Sequence, residues 1–451
     1  MNNNDILNDP SAVIINKIEV EKFDGSKKLD IKALLVSLNL NSSMTFPSVF
    51  AYMLIGDTNN ILDNEDFSFV GEEFVTVYIK QPALSETLPS KELTYKFVVN
   101  KIDTEIPSED TGGSLFKLEL ISVDAFINAG AMKSRGYSNT STNIVKTILE
   151  NELKTEIPLV HFEDTVGTTQ YAFVESKPFE KIVMVTAQAY NNREYVTSTF
   201  SFYENFEGYN FESFENMIQR GIETPPRKLT YKMTVSNDRE GYNSIIAYSN
   251  PLRFHTSLKM SHGYYSTRVI SYNLFEKRAE EEAIILPEKL KEATNRLNNV
   301  DVRNSDTFID KIKELGSLTY LIPYAPPQAY NNPERIDNAN KAFLYSSPFA
   351  ALMRENTIMF KSYGALDLDV GKAVELEFPD TLSTANDNKS SDKDLSGKYI
   401  ITDISHDISL SGRSKFEFYT NYVCVKESSL RRATFYNKQV TTDSINIKAL
   451  Q

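Results

Sequence analysis

Apolar and polar positions alternate with a period of two over much of the chain, the pattern of strands with one buried face. It is clearest near the C-terminal end. Ser396-Gly397-Lys398-Tyr399-Ile400-Ile401-Thr402-Asp403-Ile404-Ser405-His406-Asp407 runs to a turn near Ser411-Gly412. On the return, Phe416, Phe418, Thr420, Tyr422 and Cys424 share one face, while Lys415, Glu417, Tyr419 and Asn421 share the other. A long β-hairpin is predicted. Nearer the N-terminus, strand-like runs follow in close succession: Lys17 to Phe23, Ile31 to Leu40, Val49 to Ile55, Phe74 to Ile79, Leu93 to Lys101 and Leu115 to Val123. Turn residues separate them at Asp24-Gly25, Gly56-Asp57, Gly71 and Gly112-Gly113. Closely spaced strands without helices between them predict a small antiparallel barrel or sandwich.

The period changes after Asp124. Ser141-Thr142-Asn143 offers caps for a helix with Ile144, Val145, Ile148, Leu149 and Leu153 on one stripe, and Ser176 and Pro178 open a second with Phe179, Ile182 and Val183 inward. A strand from Val196 to Tyr203, with Phe200 and Phe202 on one face, continues through Glu204-Asn205-Phe206-Glu207 to a turn at Gly208. It returns as Tyr209-Asn210-Phe211, before a helical run from Phe214 to Ile218. Further on, Arg227 to Val235 and Ser266 to Asn273 read as strands, and Leu274 to Glu282 as a charged helix or extended arm. Pro323, Pro326, Pro327 and Asn331-Asn332-Pro333 read as a loop, and Asn338 to Arg354 as part-helical with a break at Pro348. The organisation expected is a first barrel over residues 1–124 and an α/β insert over 125–225. A mixed segment over 226–340 supplies strands to a second barrel, whose remainder is 341–430, and 431–451 is a tail.

The two ends of the chain resemble each other. Val70-Gly71-Glu72-Glu73-Phe74-Val75 matches Val370-Gly371-Lys372-Ala373-Val374-Glu375, Lys96-Phe97-Val98-Val99 matches Lys398-Tyr399-Ile400-Ile401, and Phe116-Lys117-Leu118 matches Phe416-Glu417-Phe418. Gly71 thus pairs with Gly371, Lys96 with Lys398 and Phe116 with Phe416, which predicts an internal duplication. The fold class is then mainly β, with an α/β insert and two related antiparallel tube-type β-barrels.

Composition adds constraints. At 451 residues the chain can hold several cores, and 24 Tyr with 27 Phe and no Trp favour sheets. Lys and Arg number 48 against 61 Asp and Glu, a formal charge of −13 that excludes a general nucleic-acid binder while suiting a wall that DNA slides past. The single cysteine, Cys424, lies in a strand pattern as a small buried hydrophobe. The start Met1-Asn2-Asn3-Asn4-Asp5 has no signal-peptide character, and no run is long enough to span a membrane, so cytoplasmic synthesis is expected. No phosphate-binding glycine loop, nucleophile elbow or zinc spacing is present, so no cofactor, metal or catalytic residue is assigned. His406-Asp407 sits on a strand, where adjacent side chains diverge. His255 and His262 lack a clear helix because of Pro251 and Gly263, and His161 stands in a short strand-like run.

Two small barrels of one type, an α/β insert and the hairpin Ser-Gly-Lys-Tyr-Ile-Ile-Thr-Asp-Ile-Ser-His at residues 396–406 resemble the baseplate hub subunit of contractile-tailed bacteriophages. So do Phe202-Tyr203-Glu204 with Gly208-Tyr209-Asn210-Phe211, and the exit Val423-Cys424-Val425-Lys426-Glu427-Ser428. The resemblance covers most of residues 13–430 and is weakest over 226–340. It implies a non-enzymatic homotrimer whose tube-like barrels form a pseudo-sixfold ring between the tail tube and a central spike, with DNA passing through the lumen, in a virion baseplate assembled in the host cytoplasm. Its structural motif residues here are Gly71, Gly371, Phe202, Tyr203, Gly208, Phe211, Gly397, Tyr399 and Phe416. An alternative is a β-rich glycan or cell-surface binding module, if Tyr203, Phe206 and Tyr209 line a groove. A hydrolase would need paired carboxylates such as Glu204 and Glu207, on a strand that marks neither as desolvated.

Overall fold

The computed structural model describes residues 9–430 apart from 58–62, 65–66, 86–87, 108–113, 192–198, 233–238, 251–254, 293–294, 299, 302–317, 325–338, 380–390 and 413–414. The tail 431–451, the Gly112-Gly113 turn, the start of the Val196 strand and the loop prolines from Pro326 onward lie outside the described residues. The N-terminal runs form β1 (Ile14–Glu21), β2 (Leu35–Ser43), β3 (Phe50–Asp57), β4 (Phe74–Gln81), β5 (Lys91–Pro107) and β6 (Ser114–Ser122). Alternate side chains, among them Ile18, Val20, Leu38, Leu40, Met53, Val75, Val77 and Leu120, enter one core. Burying each such side chain stabilises the fold by ~1.5–3 kcal/mol, which fixes which face of each strand turns inward.

The insert has its own core, in which the helices Ser141–Ile148 and Pro178–Thr186 pack on the hairpin of β7 (Phe200–Asn205) and β8 (Gly208–Ser213). Thr140, one residue ahead of the expected caps, accepts from the Asn143 N–H and starts the first helix. The helix Phe214–Glu223 follows β8. A third core gathers β9 (Arg227–Tyr231), β10 (Ser244–Ser249), β11 (Thr357–Tyr363), β12 (Ala373–Glu377), β13 (Gly397–Ser411) and β14 (Lys415–Val425).

The first group of strands stands in the order β1-β4-β5-β6-β3-β2 and the second in the order β9-β12-β13-β14-β11-β10. Each position in the second order is the first with eight added. Two bulges agree as well, although β5 has a further one at Asp103 and β1 one at Asn16 without counterparts among the described residues of the second group. Val99 and Lys101 of β5 face Leu120 and Glu119, and Ile401 and Asp403 of β13 face Cys424 and Val423, so Asn100 and Thr402 bulge at the same place. Val36 of β2 and Ile246 of β10 likewise interrupt their pairing with β3 and β11 at equivalent points. One strand departs from the antiparallel expectation: β9 runs parallel to both β10 and β12, closing the second barrel, whereas β1 is antiparallel to β4. No ladder joins β1 to β2 among the described residues, although the Ile31 N–H reaches the Ile18 carbonyl at 2.9 Å.

Register corrects the alignment of the repeats. Leu118 and Tyr422 face the equivalent residues Ile102 and Ile404, so Phe116 corresponds to Thr420 and not to Phe416. A shift of four residues keeps every side chain on its face, so alternation cannot reveal it. After the glycine turn, Val99 N–H bonds the Glu73 carbonyl and Ile401 N–H bonds the Lys372 carbonyl, which sets Val75 against Val374 and shows one extra residue in the first turn. That odd shift was visible in principle, because aligning Val75 with Glu375 puts a buried residue on an outward one.

Val183, expected inward, is exposed, and Val185 takes the buried place on that helix; the remaining corrections fall between residues 250 and 355. A short helix, Thr256–Ser261, fits between Pro251 and Gly263, with His255 as its cap. The charged arm is the strand Arg278–Ile284, paired with Thr267–Asn273, whose other side takes Leu318–Tyr324. Pro323 lies inside that last strand, which is tolerable at a sheet edge where one N–H has no partner to lose. The helix Ala339–Glu355 continues through Pro348; a proline there costs ~3 kcal/mol, and burial of Leu344, Phe349 and Leu352 on either side of it outweighs this. Among the described residues, no helix is long and apolar enough to cross a membrane.

Candidate functional site

The two barrels meet edge to edge. Beyond its bulge, β13 pairs with β2 from Asp403 opposite Ser43 to Ser409 opposite Ser37, making one continuous sheet. On its outer face Asn39 donates to Ser405 (2.9 Å) and Asp407, Ser43 to Asp403 (2.5 Å) and Asn421 to Asp407 (2.5 Å). A shallow cavity of about 550 Å³ opens on this face beside Phe50, Tyr248 and Lys361.

The β7–β8 hairpin pins the junction from the other side. Glu204 is fully buried and accepts from the Val49 N–H (3.0 Å) and the Tyr95 hydroxyl, while Ser42 donates to its carbonyl (2.8 Å). One residue on, Asn205 donates to the Val370 carbonyl (3.2 Å), and the Phe206 N–H donates to Asp369 (3.0 Å). Glu207 accepts from Lys372 (2.7 Å) and Lys91 (3.1 Å), one cation from each barrel. The turn itself needs Gly208, at φ +142°, because a Cβ there would overlap the Pro158 carbonyl. Tyr209 donates to Asp124 (3.1 Å). Sequence reasoning missed Tyr95, Asp124 and Asp369 as partners of this hairpin; the Asp369-Val370-Gly371 run beside a repeated turn is the one local signal.

The motif residues divide accordingly. Tyr203 is buried, donates to Glu212 (2.9 Å) and lies against Gly371, whose φ of +84° and missing Cβ make room for the phenol. Arg220 links Glu212 (2.7 Å) to the Gly371 carbonyl (3.0 Å). Phe202 and Phe211 belong to the insert core, and Phe416 packs at the edge of the first barrel's core. Tyr399 donates to the Leu395 carbonyl (2.6 Å), and Gly397 sits against Asn298. Gly71 has the same left-handed turn conformation as Gly371, but it lies in the first barrel. The hairpin therefore gathers Tyr203, Gly208 and Gly371, and leaves Gly71, Gly397, Tyr399 and Phe416 elsewhere.

The buried titratable groups at this junction are engaged with protein partners. Burial raises the Glu204 carboxyl to about 8, so it is desolvated, contrary to expectation, yet its oxygens are taken by protein donors. Burial raises Asp369 to about 7. His406 is pushed down to about 3 by burial; its Nδ1 meets the Thr420 hydroxyl (2.9 Å), and its ring lies between Phe206 and Phe418. Asp407 points to the opposite face. His161 is lowered to about 4 by burial and then by Arg220, and it lines a cleft of about 700 Å³ with Glu207, Arg227, Asp367 and Lys372. The acids of that cleft are held in ion pairs, Glu207 by Lys372 and Lys91, and Asp367 by Arg227. Tyr203 and Tyr209 are buried, so the aromatic groove a glycan module would need is not formed by them. Among the described residues, no group of three or more His, Cys, Asp or Glu is gathered as metal ligands are.

No protein-family model matches the sequence, and no curated protein matches it either. Among solved structures, the tail protein from Neisseria meningitidis MC58 is similar at 9% identity over 91% of this chain and 96% of that one, with a TM-score of 0.51. The prophage MuSo2 43 kDa tail protein from Shewanella oneidensis is 8% identical over 92% of this chain and 99% of its own, with a TM-score of 0.49. Prophage tail protein gp18 from Listeria monocytogenes EGD-e is 8% identical over 92% and 96%, with a TM-score of 0.45. The likeness is one of fold, and the first of these carries it.

Proposed function

We propose that the chain is a non-enzymatic structural protein of a contractile phage tail: a baseplate hub whose homotrimer forms a pseudo-sixfold ring joining the tail tube to the central spike and lining part of the DNA conduit. The observation that supports this best is the pair of six-stranded units with the same strand order and two shared bulge positions, fused edge to edge in one chain. Three copies present six such units. A ring of three is then matched to a sixfold tube on one side and a threefold spike on the other. The overall fold shared with a tail protein supports the same setting.

The conduit reading draws on charge. A wall through which DNA slides must not collect cations, and the chain carries a formal charge of −13. The amide and carboxylate ladder of Asn39, Asp403, Asp407 and Asn421 on the outer face of the fused sheet suits a lumen. Negative-stain electron microscopy of the purified protein, alone and with its spike partner, tests the proposal. A threefold ring with a central hole is expected, and monomers in both samples overturn it.

A further inference from the structure

We propose that the cleft bounded by His161, Arg220 and Lys372 binds a small oxyanion, a phosphate or a carboxylate, with Arg220 as its principal contact. The cleft, of about 700 Å³, lies where the insert meets the second barrel. It is built within one chain and does not require the ring proposed above.

Separate elements bring the charges together. Arg220 comes from the helix Phe214–Glu223, Arg227 opens β9, and Lys372 stands just before β12, with Glu207 and Asp367 facing them. Both acids are already answered: Glu207 accepts from Lys372 (2.7 Å) and Lys91 (3.1 Å), and Asp367 from Arg227 (2.7 Å). Arg227 is fully engaged, since its other nitrogens go to Asn243 (3.0 Å) and the Tyr242 carbonyl (2.9 Å). Lys228 pairs with Glu377 (3.0 Å). Arg220 differs. It reaches Glu212 (2.7 Å) and the Gly371 carbonyl (3.0 Å) through Nη2, which leaves Nε and Nη1 outside those two bonds, and its side chain is 27% exposed. Its counter-ion is weakened as well, because Glu212 also accepts from Tyr203 (2.9 Å) and Asn216 (2.7 Å), and burial raises that carboxyl and favours its neutral form. Lys372 uses two of its three donors, on Glu207 and on the Asp367 carbonyl (3.2 Å). A guanidinium edge and an ammonium proton facing one cleft match the oxygens of a phosphate or carboxylate.

His161 senses the field in this cleft. It stands on the strand Leu159–Phe162 opposite Asn210 of β8, half-buried, and its ring makes no hydrogen bond among the described residues. A polar group in such a place is ordinarily satisfied by something. Burial lowers its pKa to about 4, Arg220 and Lys372 lower it further, and Glu207 opposes them, so two cations act on the ring against one acid. An anion placed there gains from the field that disfavours imidazolium. The carbonyl end of the helix Phe214–Glu223 borders the cleft at Gly221 and Thr224 and by itself would repel an anion. Two of its carbonyls are answered: the Thr224 N–H meets that of Arg220 (2.9 Å), and Lys398 meets that of Gly221 (3.3 Å).

The test uses the full chain with isotope-labelled histidine rings, followed by NMR at neutral pH. Inorganic phosphate and, separately, acetate are added at an ionic strength held constant with chloride, and His161→Gln assigns the resonance. The His161 signal should move and saturate, while that of the exposed His255 stays in place. Arg220→Gln retains a side chain able to reach Glu212 and should weaken binding roughly ten- to hundredfold, the loss of one charge-assisted donor. Lys372→Gln, which should weaken it in the same sense, provides a second variant if the first does not fold. Tighter binding of phosphate than of acetate marks a phosphate ligand and the reverse a carboxylate, and either supports the site. A His161 signal that stays still in the unaltered protein, that moves no more than His255, or that moves equally in chloride overturns it, as does undiminished binding in both variants. Monomers in the microscope would leave this site standing, and a silent His161 would leave the hub reading standing.

Discussion

Glu204 keeps its proton at neutral pH because it is enclosed between β7 and the first barrel, and the consequence can be measured. Its folded pKa, about 8, lies above the ordinary 4.5, so the stability it adds is complete below 4.5 and is lost as pH rises through 8. Asp369 acts in the same sense between 3.8 and about 7. His406, lowered from 6.5 to about 3, acts oppositely: its contribution is present above 6.5 and is lost as pH falls through 3. The opposed effects overlap in mildly acidic solution, so the carboxyls dominate above 6.5. Melting temperature should therefore fall as pH is raised from about 6.5 to 8.5, with a smaller fall for Glu204→Gln, and an equal fall in both proteins would show that Glu204 is not responsible. Gly371 is the other position where a single atom matters. Gly371→Ala adds a Cβ onto the Tyr203 hydroxyl at a left-handed φ, a cost of about 1–3 kcal/mol in strain before the clash is counted. Adding Tyr203→Phe should recover part of the loss, whereas a neutral Gly371→Ala in urea denaturation would refute the contact.

At the scale of elements, β13 does the joining, since it pairs with β12, β14 and β2 along its length. Ser405 stands opposite both Asn421 and Asn41, so both sides of the strand are paired there. Ser405→Pro removes one ladder hydrogen bond and should cost roughly 3 kcal/mol or more by analogy with proline inside other regular structure. Calorimetry should show the two barrels unfolding in separate transitions in this variant and together in the unaltered protein. A single unshifted transition in the variant would mean that the hairpin contacts of Glu204 and Glu207 hold the barrels together without the sheet. The strands of both barrels with strict alternation, such as β4 and β14, were legible in the sequence. The strand Leu318–Tyr324 was not, because Pro323 disguises an edge strand, and β10 was not, because half of it lies exposed and carries no alternation.

For the whole molecule, two like six-stranded units are joined edge to edge through β2 and β13 into one continuous sheet. The sequence by itself determined that the chain is β-rich, that an α/β segment interrupts it, and that a three-strand unit recurs, because burial of alternate side chains imposes a period that sequence records directly. It also held His406 and Asp407 apart, since neighbours on a strand face opposite ways. The tertiary structure alone decided the register of the repeat, since a four-residue shift leaves the pattern unchanged. It alone placed Tyr95, Asp124 and Asp369 around the β7–β8 hairpin, since contacts between residues far apart in the chain leave no periodic trace. The parallel course of β9 and the fusion of β2 to β13 belong with these: both are choices among backbone edges, and backbone hydrogen bonds are the same for every sequence.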